Sequence, residues 1–461
     1  LRMTSLNTFE MKERLRKILD IECGLRYMYS TLELSSSFSQ KILLEKPIMT
    51  SASEIEKYYN GIYEVVELLT ANNHFKEISG KLNIYLAHLK DIRNSMIRIS
   101  EGTIADDIEL FEIKSLVNIN QKIQDLLSGF GIKAISLPEL DDLQRKLDPD
   151  NTGVNSFYIY DSYDCELARL RAEIKSEPIY NDELNYRCSL IEHRIRKELS
   201  QFIKERYELL KQSYENLTSL DILIGKSNQI LSGGLTIPKI SQEVMVINGM
   251  FNPEVSAILM KEGKEYQKTQ ITLEQGVPTL VTGSNMGGKS LTIKTLALCQ
   301  YLFQFGFGIP ADSALLFPVQ EILISTGDQE DYKKGLSSFA AEMVHIDKVI
   351  KKIKSGIVCL TLIDEPARTT NPTEGAALAS ALLKILSKSK GFSVMTSHYT
   401  IANTNCNRVR VLGFTNGTMD YSLIPDDGID TPAEAINIAE SLSIDQEWIQ
   451  IAKQEITNTN I

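Results

Sequence analysis

At 461 residues, 43% hydrophobic and 24% charged, the chain is too long for one core and suits two or three domains of ordinary globular composition. A formal net charge of −11 excludes a surface built throughout to hold nucleic acid, though not a local basic patch. No apolar run reaches membrane-span length, LRMTSLNTFEMKERLRK has no apolar signal core, and the cysteines and histidines are scattered without C-x-x-C spacing, so a cytosolic protein with no membrane partner and no His/Cys metal cluster is expected.

In chain order, apolar residues three and four apart predict helices over Phe9–Leu19, Ser53–Leu69, Lys81–Ile99 and Ile104–Leu127. Ser53 and Glu56 have the spacing of a capping box for the second of these. Gly129, Gly131 and Leu137-Pro138 interrupt the helical pattern, Asp148–Asn155 reads as a connection, and the aromatic run Phe157–Tyr160 leads to a helix over Cys165–Lys175. Ser189–Leu231 reads as one near-continuous helix, with Ile195, Leu199, Phe202, Leu209, Leu217, Leu220 and Ile224 on a common stripe. Roughly 40 residues of helix span about 60 Å and need a partner helix along that length. Within it, Arg194–Lys211 sets six basic residues against three glutamates, a solvated mixed-charge face and the best local candidate for a nucleic-acid contact. Ser232-Gly233-Gly234 stops the helix.

After Pro238 the pattern changes. β-Branched and apolar runs at Val244–Ile247, Thr279–Thr282, Ile357–Ile363, Ser393–Thr396 and Val409–Phe414 alternate with helices, which predicts an α/β domain on a largely parallel sheet. Asn416-Gly417 between Val411–Phe414 and Met419–Leu423 reads as a hairpin. Thr431–Lys453 is predicted helical, with Pro432 near its start. The expected organisation is a helical core over 1–150, returning helices over 151–237, a nucleotide-binding domain over 238–425 and a C-terminal helical segment over 426–461.

Two motifs carry chemistry. Gly283 to Ser290 has the spacing G-x-x-x-x-G-K-S between an apolar strand and a helical pattern, the context in which backbone N–H groups and a helix N-terminus cradle phosphate. Gly283, Ser284, Asn285, Met286, Gly287, Gly288, Lys289, Ser290 and Leu291 are the nucleotide-binding candidates, with Lys289 reaching the outer phosphates and Ser290 ligating Mg²⁺. The second motif, IVCLTLIDE at 357–365, is a buried strand ending in two acids. Its position assigns Asp364 to the metal and Glu365 to the attacking water. ATP and Mg²⁺ are the implied ligands. His398, after Ser393–Thr396, is placed to sense the terminal phosphate.

TGSNMGGKS at 282–290, Ile309-Pro310-Ala311, Gly335–Met343 (GLSSFAAEM), LTLIDEPARTTNPTEGAALA at 360–379 and Thr396-Ser397-His398 together resemble, in order, the motifs of the MutS family of ATPases. The resemblance implies an ABC-like P-loop ATPase domain preceded by an all-α core and lever domain. It also implies a homodimer, or a pair with a related MutS-like chain. Ser337 of one subunit would reach the nucleotide of the other, making it a catalytic residue with Lys289, Glu365 and His398. Thr431–Lys453 resembles the family's dimerising tail.

Departures from the family pattern shape the expected role. The chain as written starts at the core, so a form without the mismatch-recognition, connector and Smr domains is expected. The 20 residues between Arg171 and Glu192 leave no room for the family's inserted DNA clamp, since a folded domain needs about 50 residues. Ala367 and Thr369 replace glycines after the acids, and Pro366 an aliphatic residue, so slow or altered turnover is expected. The family implies action on DNA in repair or recombination. The alternative is a protein-remodelling ATPase, such as a MutS-like reactivating factor of a cobalamin-dependent aminomutase.

Overall fold

A computed structural model describes residues 12–154, 156–176, 181–283, 288–325, 338–401, 405–415, 418–426 and 444–459. The chain divides into two compact units, one of residues 33–46 and 60–228, the other of residues up to 32, 47–59 and from 229 onward.

The first unit is helical. It contains α3 (Ser37–Glu45), most of α4 (Ala52–Ala71), then α5 (Asn73–Ala87), α6 (Arg93–Ser100), α7 (Asp107–Leu127), α8 (Asp141–Leu147), α9 (Cys165–Ser176), α10 (Asp182–Lys204) and most of α11 (Tyr207–Gly233). The helix expected over Lys81–Ile99 is two helices, interrupted where His88 caps α5. The capping box lies not at Ser53 and Glu56 but at Asp106 and Glu109, where each side chain takes the other's backbone N–H at the head of α7. The long helix expected from Ser189 to Leu231 starts earlier, at Asp182, and breaks at Glu205 and Arg206. Arg206 there lies over the Phe202 ring and pairs with Asp142.

Helices α9 and α10 form a direct hairpin with only 177–181 between them. Arg171 meets Glu192 at 2.8 Å and Arg187 meets Glu166 at 2.6 Å, so the two helices are zipped by ion pairs. Buried Lys114 anchors the segment before α9, bonding the Tyr160 hydroxyl at 2.7 Å and facing Asp148 at 3.4 Å.

The second unit begins with the short helices α1 (Leu15–Ile18) and α2 (Leu25–Ser30); of the helix expected over Phe9–Leu19, only Leu15–Ile18 is helical among the described residues. It holds two sheets. Strands β1 (Lys239–Ile240), β2 (Val244–Met250), β3 (Thr269–Glu274) and β5 (Ser313–Leu316) form the smaller, in the order β1-β5-β2-β3. The larger runs β10-β9-β4-β8-β7-β6, from β4 (Thr279–Thr282), β6 (Glu321–Ser325), β7 (Cys359–Ile363), β8 (Phe392–Thr396), β9 (Asn407–Thr415) and β10 (Thr418–Pro425). All its pairs are parallel except the β9–β10 hairpin, in which Thr415 faces Thr418 across a two-residue connection. Helices α12 (Pro253–Lys261), α13 (Lys289–Gln304), α14 (Ser338–Lys354) and α15 (Pro372–Leu386) complete it, with a final helix Gln446–Thr459. Helix α13 is buried around almost its whole circumference. Leu280, Ile363 and Met395 of the sheet pack with Ile346, Val349 and Ile353 of α14 and Leu382, Leu383 and Leu386 of α15. This core fixes the carboxyl ends of β4, β8 and β7 side by side, the edge at which parallel α/β sheets bind ligands.

Candidate nucleotide site

At the end of β4 the chain turns through Gly283 at φ +120°, and Gly288, just before α13, has φ +73°. Both lie in the left-handed region that a side chain enters only with strain. A Cβ at 288 would also stand 3.2 Å from the Tyr421 ring, so this approach is built for glycine. Ser284, Asn285, Met286 and Gly287 lie outside the described residues. Lys289 is buried; its Nζ donates to the Gly283 carbonyl at 2.7 Å and pairs with Glu365 Oε1 at 3.2 Å. Ser290 is exposed in the first turn of α13, and Leu291 is half-buried behind it.

The second half of the site grows from β7, whose five residues are all buried. Asp364 follows, its N–H on the Ser325 carbonyl at 2.8 Å. Glu365 then adopts φ +43° and Ala367 φ +63°. Ala367, one of the two residues that stand where the family pattern has glycine, thus keeps a left-handed bend without it, and it and Glu365 each cost about 1–2 kcal/mol. Such strain persists only where neighbours over-determine the conformation, and they do. Glu365 N–H donates to Thr396 Oγ1 at 2.9 Å, Ala367 N–H to Glu342 Oε1 at 3.0 Å, and the Tyr399 hydroxyl to the Ala367 carbonyl at 2.8 Å. Burial raises the Glu342 pKa, against the Ala367 N–H and Arg368, which lower it.

His398 sits just beyond β8, its ring 4.0 Å from that of Tyr399. Although the residue as a whole is exposed, desolvation of the ring lowers its pKa, opposed by Glu365 and assisted by Lys289 and Arg368. Lys289, Asp364, Glu365 and His398 are therefore gathered at one edge, on neighbouring strands or the helix after them. Ser337 lies outside the described residues.

Glycines that bring backbone close, a buried lysine and a helix N-terminus fit a polyphosphate. The hard oxygens of Ser290 and Asp364 suit Mg²⁺, which rests on one or two protein oxygens plus substrate phosphates.

Residues 279–453 match the family model described as MutS domain V. Proteins named Endonuclease MutS2 are similar over longer stretches. That of Caldanaerobacter subterraneus subsp. tengcongensis is 24% identical over 92% of this chain and 54% of its own length. Those of Finegoldia magna and Lactobacillus johnsonii are 30% and 33% identical over 60% and 50% of this chain, covering 36% and 28% of their own lengths. These likenesses support a MutS-family protein. The chain spans about half the length of the first of these relatives and less of the others, and its domain V is a P-loop ATPase fold.

Several residues of this site were given no role from the sequence, although Thr396 and Glu342 stand inside the quoted motifs. Thr396, Glu342 and Tyr399 hold the acidic loop from β8, α14 and the turn after β8. Gln267, before β3, accepts the Tyr421 N–H at 3.0 Å and donates to Asp420 at 2.6 Å, which fixes Tyr421 beside Gly288. Contacts made across the sheet have no fixed spacing along the chain, so no motif scan finds them.

Proposed function

We propose that the chain binds ATP with Mg²⁺ at this edge and hydrolyses it. Lys289 would neutralise the outer phosphates, Ser290 and Asp364 would hold the ion, Glu365 would orient and deprotonate water, and His398 would contact the terminal phosphate. Mg²⁺ would supply charge neutralisation at the phosphates. The observation that supports the reading is the meeting of buried Lys289 with Glu365 at 3.2 Å, the two residues proposed here as phosphate binder and base. Lys289→Ala is expected to abolish ATP binding, measured with a fluorescent nucleotide. Glu365→Ala is expected to bind ATP and lose turnover by about 100-fold or more. Hydrolysis by Glu365→Ala at the wild-type rate overturns the assignment of the base.

The family resemblance further suggests two such domains facing one another, with Ser337 acting across the interface and nucleotide state moving the lever helices α9 to α11. The final helix supports pairing: Ile449 is buried while Trp448 and Ile451 are 65% and 51% exposed, an apolar surface suited to a second subunit. DNA repair or recombination intermediates are the substrate that the relatives and the family suggest. One observation favours a protein client instead. On the basic face, Arg194, Arg196 and Arg206 are each taken up by an aspartate, Asp164, Asp107 and Asp142.

A further inference from the structure

Thr396 lies at the end of β8, fully buried, in register with Val281 of β4 and one residue beyond the Met395–Ile363 pair that joins β8 to β7. Among the described residues its hydroxyl has two partners, and both belong to the acidic pair. Oγ1 donates its proton to Asp364 Oδ1 at 2.6 Å and accepts the Glu365 N–H at 2.9 Å. A hydroxyl has one proton, so accepting from Glu365 leaves that proton for Asp364 and fixes its direction. The bond to a carboxylate is of the short, charge-assisted kind. Glu365 meanwhile sits at φ +43°, a conformation disfavoured for a non-glycine residue and held by the bond to its own N–H.

We propose that Thr396 is a positioning residue for hydrolysis, a single hydroxyl that sets the orientation of the metal-binding carboxylate of Asp364 and the backbone angle from which Glu365 projects. This rests on the ATPase reading above. One oxygen of Asp364 is occupied by Thr396, and the other would face the ion's shell. Glu365 is aimed at its place beside Lys289 because its N–H is pinned from the neighbouring strand. Nucleotide binding on this reading runs through Lys289, Gly283 and Gly288, and the Thr396 hydroxyl bonds to none of these three.

The two jobs separate in experiment. Thr396→Val keeps the shape and removes the hydroxyl; Thr396→Ser keeps the hydroxyl. In the full chain, Thr396→Val is expected to lower kcat by about 10-fold or more and raise the Mg²⁺ concentration for half-maximal turnover by a similar factor, the range seen when a residue supporting a metal ligand is lost. Its affinity for a fluorescent ATP analogue without Mg²⁺ is expected to stay within about twofold of wild type, because the phosphate contacts remain. Thr396→Ser is expected to restore most of both losses. Hydrolysis by the wild type that Glu365→Ala abolishes carries the ATPase reading on its own. Given that, wild-type kcat and Mg²⁺ dependence in Thr396→Val, or equal loss in the serine variant, overturns the role of the hydroxyl and leaves the ATPase reading standing. A wild type that neither binds nor hydrolyses ATP overturns both.

Discussion

His398 reads the charge of the site through its own proton. Desolvation pulls its pKa below the ordinary histidine value of 6.5, Glu365 opposes that shift, and Lys289 and Arg368 add to it. The imidazole is therefore neutral at pH 7 and can both donate and accept a hydrogen bond. Because its pKa is depressed on folding, the proton binds the unfolded chain more tightly. Its contribution to stability is complete above about pH 6.5 and is lost as pH falls through the folded value. The same neutral form is the one proposed to contact the phosphate. Turnover should be flat from about pH 6.5 to 8 and decline on an acid limb lying below 6.5. His398→Ala should cost about tenfold, the value of one hydrogen bond of about 1.4 kcal/mol, and should erase that limb. An unchanged limb in His398→Ala assigns the titration to another group.

Among the elements, the loop after β7 depends on α15 as much as on its own residues. Tyr399 reaches Ala367 only because Gly375 in α15 leaves it room; a Cβ at 375 would lie 2.3 Å from the Tyr399 hydroxyl oxygen. Tyr399 is buried and its hydroxyl engaged, so it cannot swing aside. Overpacking costs about 1–3 kcal/mol, while alanine gains about 1 kcal/mol over glycine in a helix. Overpacking wins: Gly375→Ala is expected to lose about 1 kcal/mol in urea unfolding and to turn over ATP more slowly. A Gly375→Ala protein with wild-type stability and turnover would show that Tyr399 does not brace the loop. The same elements show what the sequence could say. The phosphate loop and the acidic strand were legible because each is a contiguous pattern with one physical cause, glycine spacing in one and five buried residues in the other. The break between α10 and α11 was not, because Glu205 keeps a near-helical backbone and the apolar stripe continues through it. Strands β3, β5 and β6, each of six residues or fewer and two of them at sheet edges, carry too little period to stand out. Thr396 stood inside a quoted motif, but its role was not legible because its partners arrive from another strand, through register alone.

At the scale of the molecule the open matter is what the ATPase acts on, and the helical unit makes this quantitative. Of six basic residues on the Arg194–Lys211 face, the three arginines are paired with Asp164, Asp107 and Asp142 at 2.5, 2.7 and 2.5 Å. Lys197, Lys204 and Lys211 are exposed. An arginine already paired gives up one partner to gain a phosphate, so it adds little net affinity. If this face holds duplex DNA, the three lysines set the counterion release. The logarithm of affinity should then fall against the logarithm of salt with a slope of about −3, from about 0.9 per phosphate neutralised. Steady-state ATP hydrolysis with duplex, mismatched and branched DNA, between about 50 and 200 mM salt, checks this. Stimulation with that slope, lost when the three lysines become alanine, places DNA on the helical unit. A much steeper slope moves the contact to another surface. Hydrolysis indifferent to every DNA, with the Lys289 and Glu365 variants behaving as expected, leaves the ATPase intact and makes a protein the client, the reading that the ion-paired arginines favour.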